Sequence, residues 1–130
     1  MYANVEAFDV LDTSINIRAT TVLWKTDINS FGLLTEMSVK DINSDGNLEI
    51  IYGAHYNYYC ISATNGSILW EFDAGSYIER YYIAPYIGDI NGDGKDEIIL
   101  ITFGPTGDGK SIICLDSDGN MVWENEILNI

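Results

Sequence analysis

The sequence predicts an all-β chain of repeated four-stranded antiparallel units, and three observations point there. An acidic loop occurs twice, 48 residues apart, as Asp41-Ile-Asn-Ser-Asp-Gly-Asn-Leu-Glu49 and Asp89-Ile-Asn-Gly-Asp-Gly-Lys-Asp-Glu97. A turn followed by tryptophan trails each loop, as Cys60-Ile-Ser-Ala-Thr-Asn-Gly-Ser-Ile-Leu-Trp70 and Cys114-Leu-Asp-Ser-Asp-Gly-Asn-Met-Val-Trp123. No stretch of a dozen residues carries a clean 3.6-residue apolar period, which argues against helices.

Taken in order, residues 1–30 hold Val10-Leu-Asp-Thr and Thr21-Val-Leu-Trp24, a degenerate copy of the turn-and-tryptophan pattern that supplies two strands of a partial unit. Residues 33–73 read as a complete unit. Ile50-Ile-Tyr is a β-branched and aromatic run, and Asn65-Gly66 is a tight-turn dipeptide, since both residues tolerate positive φ. Residues 80–126 repeat the plan, with Ile98-Ile-Leu-Ile-Thr-Phe as a strand and Asp118-Gly119 at the turn. A repeat near 50 residues with this strand content indicates propeller-type blades, about two and a half of them, stacked and not closed within one chain. The expected organisation is a single domain over 1–130, with a partial blade at 1–30, a loop-bearing blade at 31–76 and another at 77–130.

The chain has 130 residues, enough for one domain with a real core. An apolar fraction of 47% with nine tyrosines and three tryptophans is incompatible with disorder. The net charge is −14 with only six Lys and Arg, so no basic patch exists for nucleic acid or anionic membrane. No apolar run approaches the roughly 20 residues of a membrane helix, so no membrane insertion is expected. The N-terminus shows neither a basic region nor an apolar stretch of signal-peptide type.

The acidic loops are the candidate site. Ca²⁺ is a hard ion that takes six to eight oxygens, and alternate residues of a curled loop converge on one point. Asp41, Asn43 and Asp45 would converge in the first loop, with Gly46 permitting the turn, the Asn47 carbonyl and Glu49 completing the shell. The second site would use Asp89, Asn91, Asp93, the Lys95 carbonyl and Glu97. An EF-hand would need a glutamate at loop position 12, where Tyr52 and Leu100 stand, and helices on either side. The competing reading is a pair of metal-free Asp/Asn/Gly turns. Duplicated oxygen donors at positions 1, 3, 5 and 9 exceed what a turn requires.

Other residues admit plainer roles. Cys60 and Cys114 occupy equivalent positions on neighbouring sheets, about 10 Å apart, beyond disulfide reach, so buried free thiols are expected, with a disulfide as the alternative. His55, the sole histidine, has no nucleophile or ligand at motif spacing and reads as a loop residue. Trp24, Trp70 and Trp123 read as packing between blades. In Tyr56-Asn-Tyr-Tyr59 and Tyr77-Ile-Glu-Arg-Tyr-Tyr82, consecutive rings must point to opposite faces. One ring of each pair is therefore expected to be exposed, for structural filling, a protein contact or a sugar. No catalytic constellation is visible, so the chain is not expected to be an enzyme.

Across about 31–126 these residues resemble FG-GAP or VCBS-type calcium-binding β-propeller repeats. The first copy carries Phe31-Gly32 before the loop and Gly53-Ala54 after it, with His55 where that family usually has proline. The Cys60–Trp70 and Cys114–Trp123 segments are similar to the hairpin and docking tryptophan of PQQ-like propeller repeats. The resemblance implies two Ca²⁺ ions in a non-catalytic extracellular or cell-surface module for adhesion or self-assembly into a ring or filament. Its partners would be another copy, met through exposed blade faces, or the rest of a longer chain. A carbohydrate-binding module or a fragment of a larger propeller enzyme is the alternative.

Overall fold

The computed structural model describes residues 2–10, 20–29, 35–75, 83–103 and 109–128. All regular structure among them is strand. The strands are β1 (Tyr2–Val10), β2 (Thr20–Asn29), β3 (Ser38–Lys40), β4 (Glu49–Ala54), β5 (Asn57–Ser62), β6 (Ile68–Asp73), β7 (Tyr86–Gly88), β8 (Glu97–Phe103), β9 (Gly109–Leu115) and β10 (Met121–Leu128).

They form three antiparallel sheets: β1-β2, β3-β4-β5-β6 and β7-β8-β9-β10. Each strand pairs with its chain neighbour, the up-and-down order that short turns enforce. Corresponding registers recur: Lys40 faces Glu49 as Gly88 faces Glu97, and Ile51 faces Cys60 as Ile99 faces Cys114. A bulge falls just after the turn in both sheets, between Cys60 and Ile61 against β6 and between Met121 and Trp123 in β10.

The three sheets stack with the β3–β6 sheet in the middle, and strand alternation divides its side chains between two cores. Ile50, Tyr52, Ala54, Tyr59 and Ile61 pack with Val5 and Ile28 of the first sheet. Ile42, Ile51, Tyr58 and Cys60 pack with Ile98, Leu100, Ile113 and Leu115 of the third. All six residues of β4 are buried as a result. This is an open stack of propeller-type blades, as the repeat pattern predicts.

Burial of Tyr58 and Tyr59 corrects the expectation that one of these rings is exposed. They do point to opposite faces, but both faces are covered. Tyr58 also donates from its hydroxyl to the Ile101 carbonyl across the second core, at 3.3 Å. The second tyrosine cluster, 77–82, and Phe31-Gly32 lie outside the described residues. Cys60 and Cys114 are buried free thiols. Burial and the nearby Glu49 carboxylate push the Cys60 thiol up to about 12. Burial also raises Cys114, with Glu97 and Asp116 adding to it. No helix among the described residues is long and apolar enough to cross a membrane.

Candidate metal centre

Both acidic loops sit at the same corner of their sheets. Asp41–Leu48 joins β3 to β4 and Asp89–Asp96 joins β7 to β8, with Glu49 and Glu97 as the first residues of the strands that follow. The polypeptide curls through left-handed backbone at the fourth and sixth loop positions: Ser44 (φ 61°) and Gly46 (φ 89°) in one, Gly92 (φ 81°) and Gly94 (φ 86°) in the other.

The hydrogen bonding of one loop is nearly a copy of the other. The Asp45 and Gly46 amides donate to Asp41 at 3.1 and 2.9 Å, and the Asp93 and Gly94 amides donate to Asp89 at 3.1 and 2.8 Å. The side-chain oxygen of Asn43 accepts from the Asp45 amide at 2.9 Å, and that of Asn91 from the Asp93 amide at 2.8 Å. Asp45 and Asp93 accept from the Asn47 and Lys95 amides, both at 2.8 Å. Glu49 and Glu97 reach back to accept from the Ile42 and Ile90 amides, both at 3.0 Å. In this way the side-chain oxygens of residues 1, 3, 5 and 9 of each loop accept hydrogen bonds from the loop's own amides.

Electrostatics follow from these bonds. The Asn47 amide holds Asp45 below the usual carboxylate value, and the Gly94 amide does most to lower Asp89. Glu49 goes the other way. Its burial raises it, the Ile42 amide opposes this, and Asp45 and Asp41 add repulsion.

The donors suit a hard cation. Every predicted ligand atom is oxygen, with three carboxylates per loop. The two ion pairs among the described residues, Lys25–Asp27 at 3.7 Å and Lys40–Asp96 at 2.8 Å, engage none of those carboxylates. Each loop thus gathers three acidic groups without a side-chain cation among these pairs. Among the described residues no three or more acidic, His or Cys side chains are grouped closely enough to hold a metal ion as they stand. Asp45 Oδ1 and Asp89 Oδ1 each accept two hydrogen bonds, whereas both Asp41 oxygens and Glu49 Oε2 accept one each and keep a second lone pair for an ion.

Lys40 and Asp96 also tie the corner of the middle sheet to the loop of the third. Beside them the Ser38 hydroxyl donates to the Pro85 carbonyl. The two loop corners therefore belong to adjacent edges of one assembly.

At the same end of each sheet, beside the acidic loop, lies a feature that the sequence signalled only by its tryptophans. The Trp24 indole donates to the Ala63 carbonyl at 2.9 Å, and the Trp70 indole donates to the Ser117 carbonyl at 3.0 Å. Each ring lies on the glycine of the next sheet's turn. A Cβ on Gly66 would stand 2.7 Å from Trp24 Cδ2, and one on Gly119 would stand 2.6 Å from Trp70 Cδ2. Both glycines have positive φ, 74° and 82°. The Asn-Gly and Asp-Gly dipeptides signalled the turns, but nothing in them indicated the preceding tryptophan as their neighbour.

Fold, loop and tryptophan seat together define a class, an open stack of antiparallel propeller-type blades with an acidic loop at each complete blade. Residues 41–100 match the family model of the FG-GAP-like repeat, a stretch that contains both acidic loops. That stretch is thus similar to FG-GAP-type repeats. No curated protein matches the chain.

Proposed function

We propose that the chain is a calcium-stabilised, non-catalytic propeller-type module for extracellular adhesion or self-assembly, acting through its terminal sheet faces. The observation that carries this reading is the duplicated acidic loop, hydrogen-bonded in the same pattern at the same corner of two successive blades. Asp41, Asn43, Asp45, the Asn47 carbonyl and Glu49 would hold one Ca²⁺. Asp89, Asn91, Asp93, the Lys95 carbonyl and Glu97 would hold the other. The ion would supply charge neutralisation at a blade corner; the chain's residues supply a loop that joins the first two strands of each complete sheet.

Extracellular calcium suits such exposed loops, because sites with dissociation constants of about 10⁻⁴–10⁻³ M are filled there. Exposed apolar side chains on the outer strands support association through faces. Leu23 and Val22 on β2, and Met121, Val122 and Ile127 on β10, all remain uncovered. Head-to-tail contacts of that kind give rings or filaments according to their rotation.

The test is light scattering of the chain in millimolar calcium and in EDTA, with isothermal titration of calcium alongside. Two binding events and a larger species in calcium are expected. A monomer of the same size and melting temperature in both buffers overturns the reading.

A further inference from the structure

The last strand of each sheet carries the same irregularity. In the first sheet Trp24 faces Ala7 and Val22 faces Phe8, which leaves Leu23 without a partner. In the middle sheet Trp70 faces Cys60 and Ile68 faces Ile61, which leaves Leu69. In the third, Trp123 faces Cys114 and Met121 faces Leu115, which leaves Val122. Each is a β-bulge on an edge strand, since β2, β6 and β10 end their sheets. The extra residue breaks strand alternation, so that Trp24 and Trp70 turn onto the next sheet while the two apolar residues before each stay outside.

Val22, Leu23, Ile68, Leu69, Met121 and Val122 are all between 44% and 58% exposed. A missing neighbour does not account for the middle pair, because the β3–β6 sheet is covered on both faces. Ile68 and Leu69 therefore look outward from the rim of the stack, and their equivalents extend them into a row that crosses all three sheets. Its end pairs also border the terminal faces, so copies stacked head to tail would continue it. One exposed leucine is ordinary, but six apolar side chains in repeat register make an interaction surface. The charges beside it are acidic. Glu71 and Asp73 on β6 and Glu124 and Glu126 on β10 are exposed, and Lys25 on β2 is already paired with Asp27 at 3.7 Å.

We propose that this rim row docks a basic amphipathic helix of another protein, laid across the three edge strands with its apolar stripe on Leu23, Leu69 and Val122 and its lysines or arginines against the flanking carboxylates. Stacked sheets lie about 10 Å apart, and a helix advances about that far in seven residues, so a heptad stripe meets successive sheets. An extended segment would pair along one edge strand and reach one pair of the row. Laid across the strands it would leave its own backbone unpaired, which a helix does not. A second copy of this chain is the wrong occupant, having no helix among its described residues and a charge of −14 of its own. The surface goes beyond the calcium loops and gives the adhesive reading a partner of stated chemistry.

The probe is a synthetic helical peptide of about three heptads with leucine at every seventh position and lysine on its flanks, beside a counterpart with glutamate for lysine. Fluorescence anisotropy in EDTA keeps the measurement independent of the calcium reading. Saturable binding of the lysine peptide alone is expected, weakened by salt. Leu69→Ser should weaken it roughly fivefold to tenfold, while Ile127→Ser, exposed on β10 outside the row, should change it less than about twofold. An unchanged near-ultraviolet spectrum and melting temperature would show that both variants keep the fold.

No saturable binding, or equal binding of the glutamate peptide, overturns the proposal. So does Leu69→Ser chain that binds as the parent does, which would reduce the contact to charge attraction. Self-association abolished by Leu69→Ser overturns it too, because the row would then serve a second copy; association that survives this substitution belongs to the terminal faces and leaves the row to the helix.

Discussion

Ser44 stands at φ 61° where the second loop has Gly92. An L-residue in left-handed backbone costs about 1–2 kcal/mol, which glycine avoids. Ser44→Gly should therefore stabilise the first loop by up to about 1 kcal/mol, the gain being reduced by the greater freedom of glycine in the unfolded chain. Thermal melting with and without calcium checks this, and a lower melting temperature in both buffers would mean that the serine side chain holds the turn. The thiols give a second test at this scale. With Cys60 pushed up to about 12 and Cys114 also raised by burial, neither is a thiolate at neutral pH. Ellman's reagent should label neither in the native chain and both once guanidinium unfolds it; rapid labelling of one at pH 7 would show that its side of the core opens locally.

Elements were legible to the extent that their signals are local. The turns at Asn65-Gly66 and Asp118-Gly119, the strands around Ile50 and Ile98, and the position of the acidic loops between the first two strands of each complete sheet all follow from short patterns. Exposure was not legible in the same way. Alternation tells that Tyr58 and Tyr59 point to opposite faces, but whether a second sheet covers the other face depends on residues far away in sequence. For the same reason Ile42 and Ile90 look alike in the sequence and differ fully in burial. The tryptophan seats show the cost of such non-local contacts. Gly66→Ala and Gly119→Ala each place a Cβ within 2.7 Å of an indole carbon at positive φ. Each should destabilise the chain by about 2–4 kcal/mol through strain and overpacking. Gly46→Ala is also at positive φ but has open space around its Cβ, so it should cost only about 1 kcal/mol. Equal losses at all three positions in urea melts would show that backbone strain, and not the indole, sets the penalty.

At the scale of the whole molecule, charge dominates: −14 spread over a stack whose acidic corners lie on adjacent edges. The effect of pH on stability should then have opposite signs with and without calcium. In EDTA, burial and neighbouring carboxylates hold Glu49 above its ordinary 4.5 in the folded chain. A carboxyl raised by folding binds its proton more readily in the native state, so stability rises as pH falls through its window just above that value. Asp45 and Asp89 are lowered, so their stabilisation is present above their ordinary 3.8 and is lost only at lower pH. The metal-free chain should accordingly melt at higher temperature near pH 5 than at pH 7, with the relief of acidic repulsion adding to the trend. Calcium reverses the slope, because protons compete for the same oxygens. With free calcium at about ten times the dissociation constant, each filled site adds about 1.4 kcal/mol at neutral pH, and that increment should fade on acidification. Scanning calorimetry from pH 7 to about pH 5 in both buffers, at constant ionic strength, would reveal the crossing. Parallel curves would mean that the loops bind no ion and that their carboxylates serve only the turns.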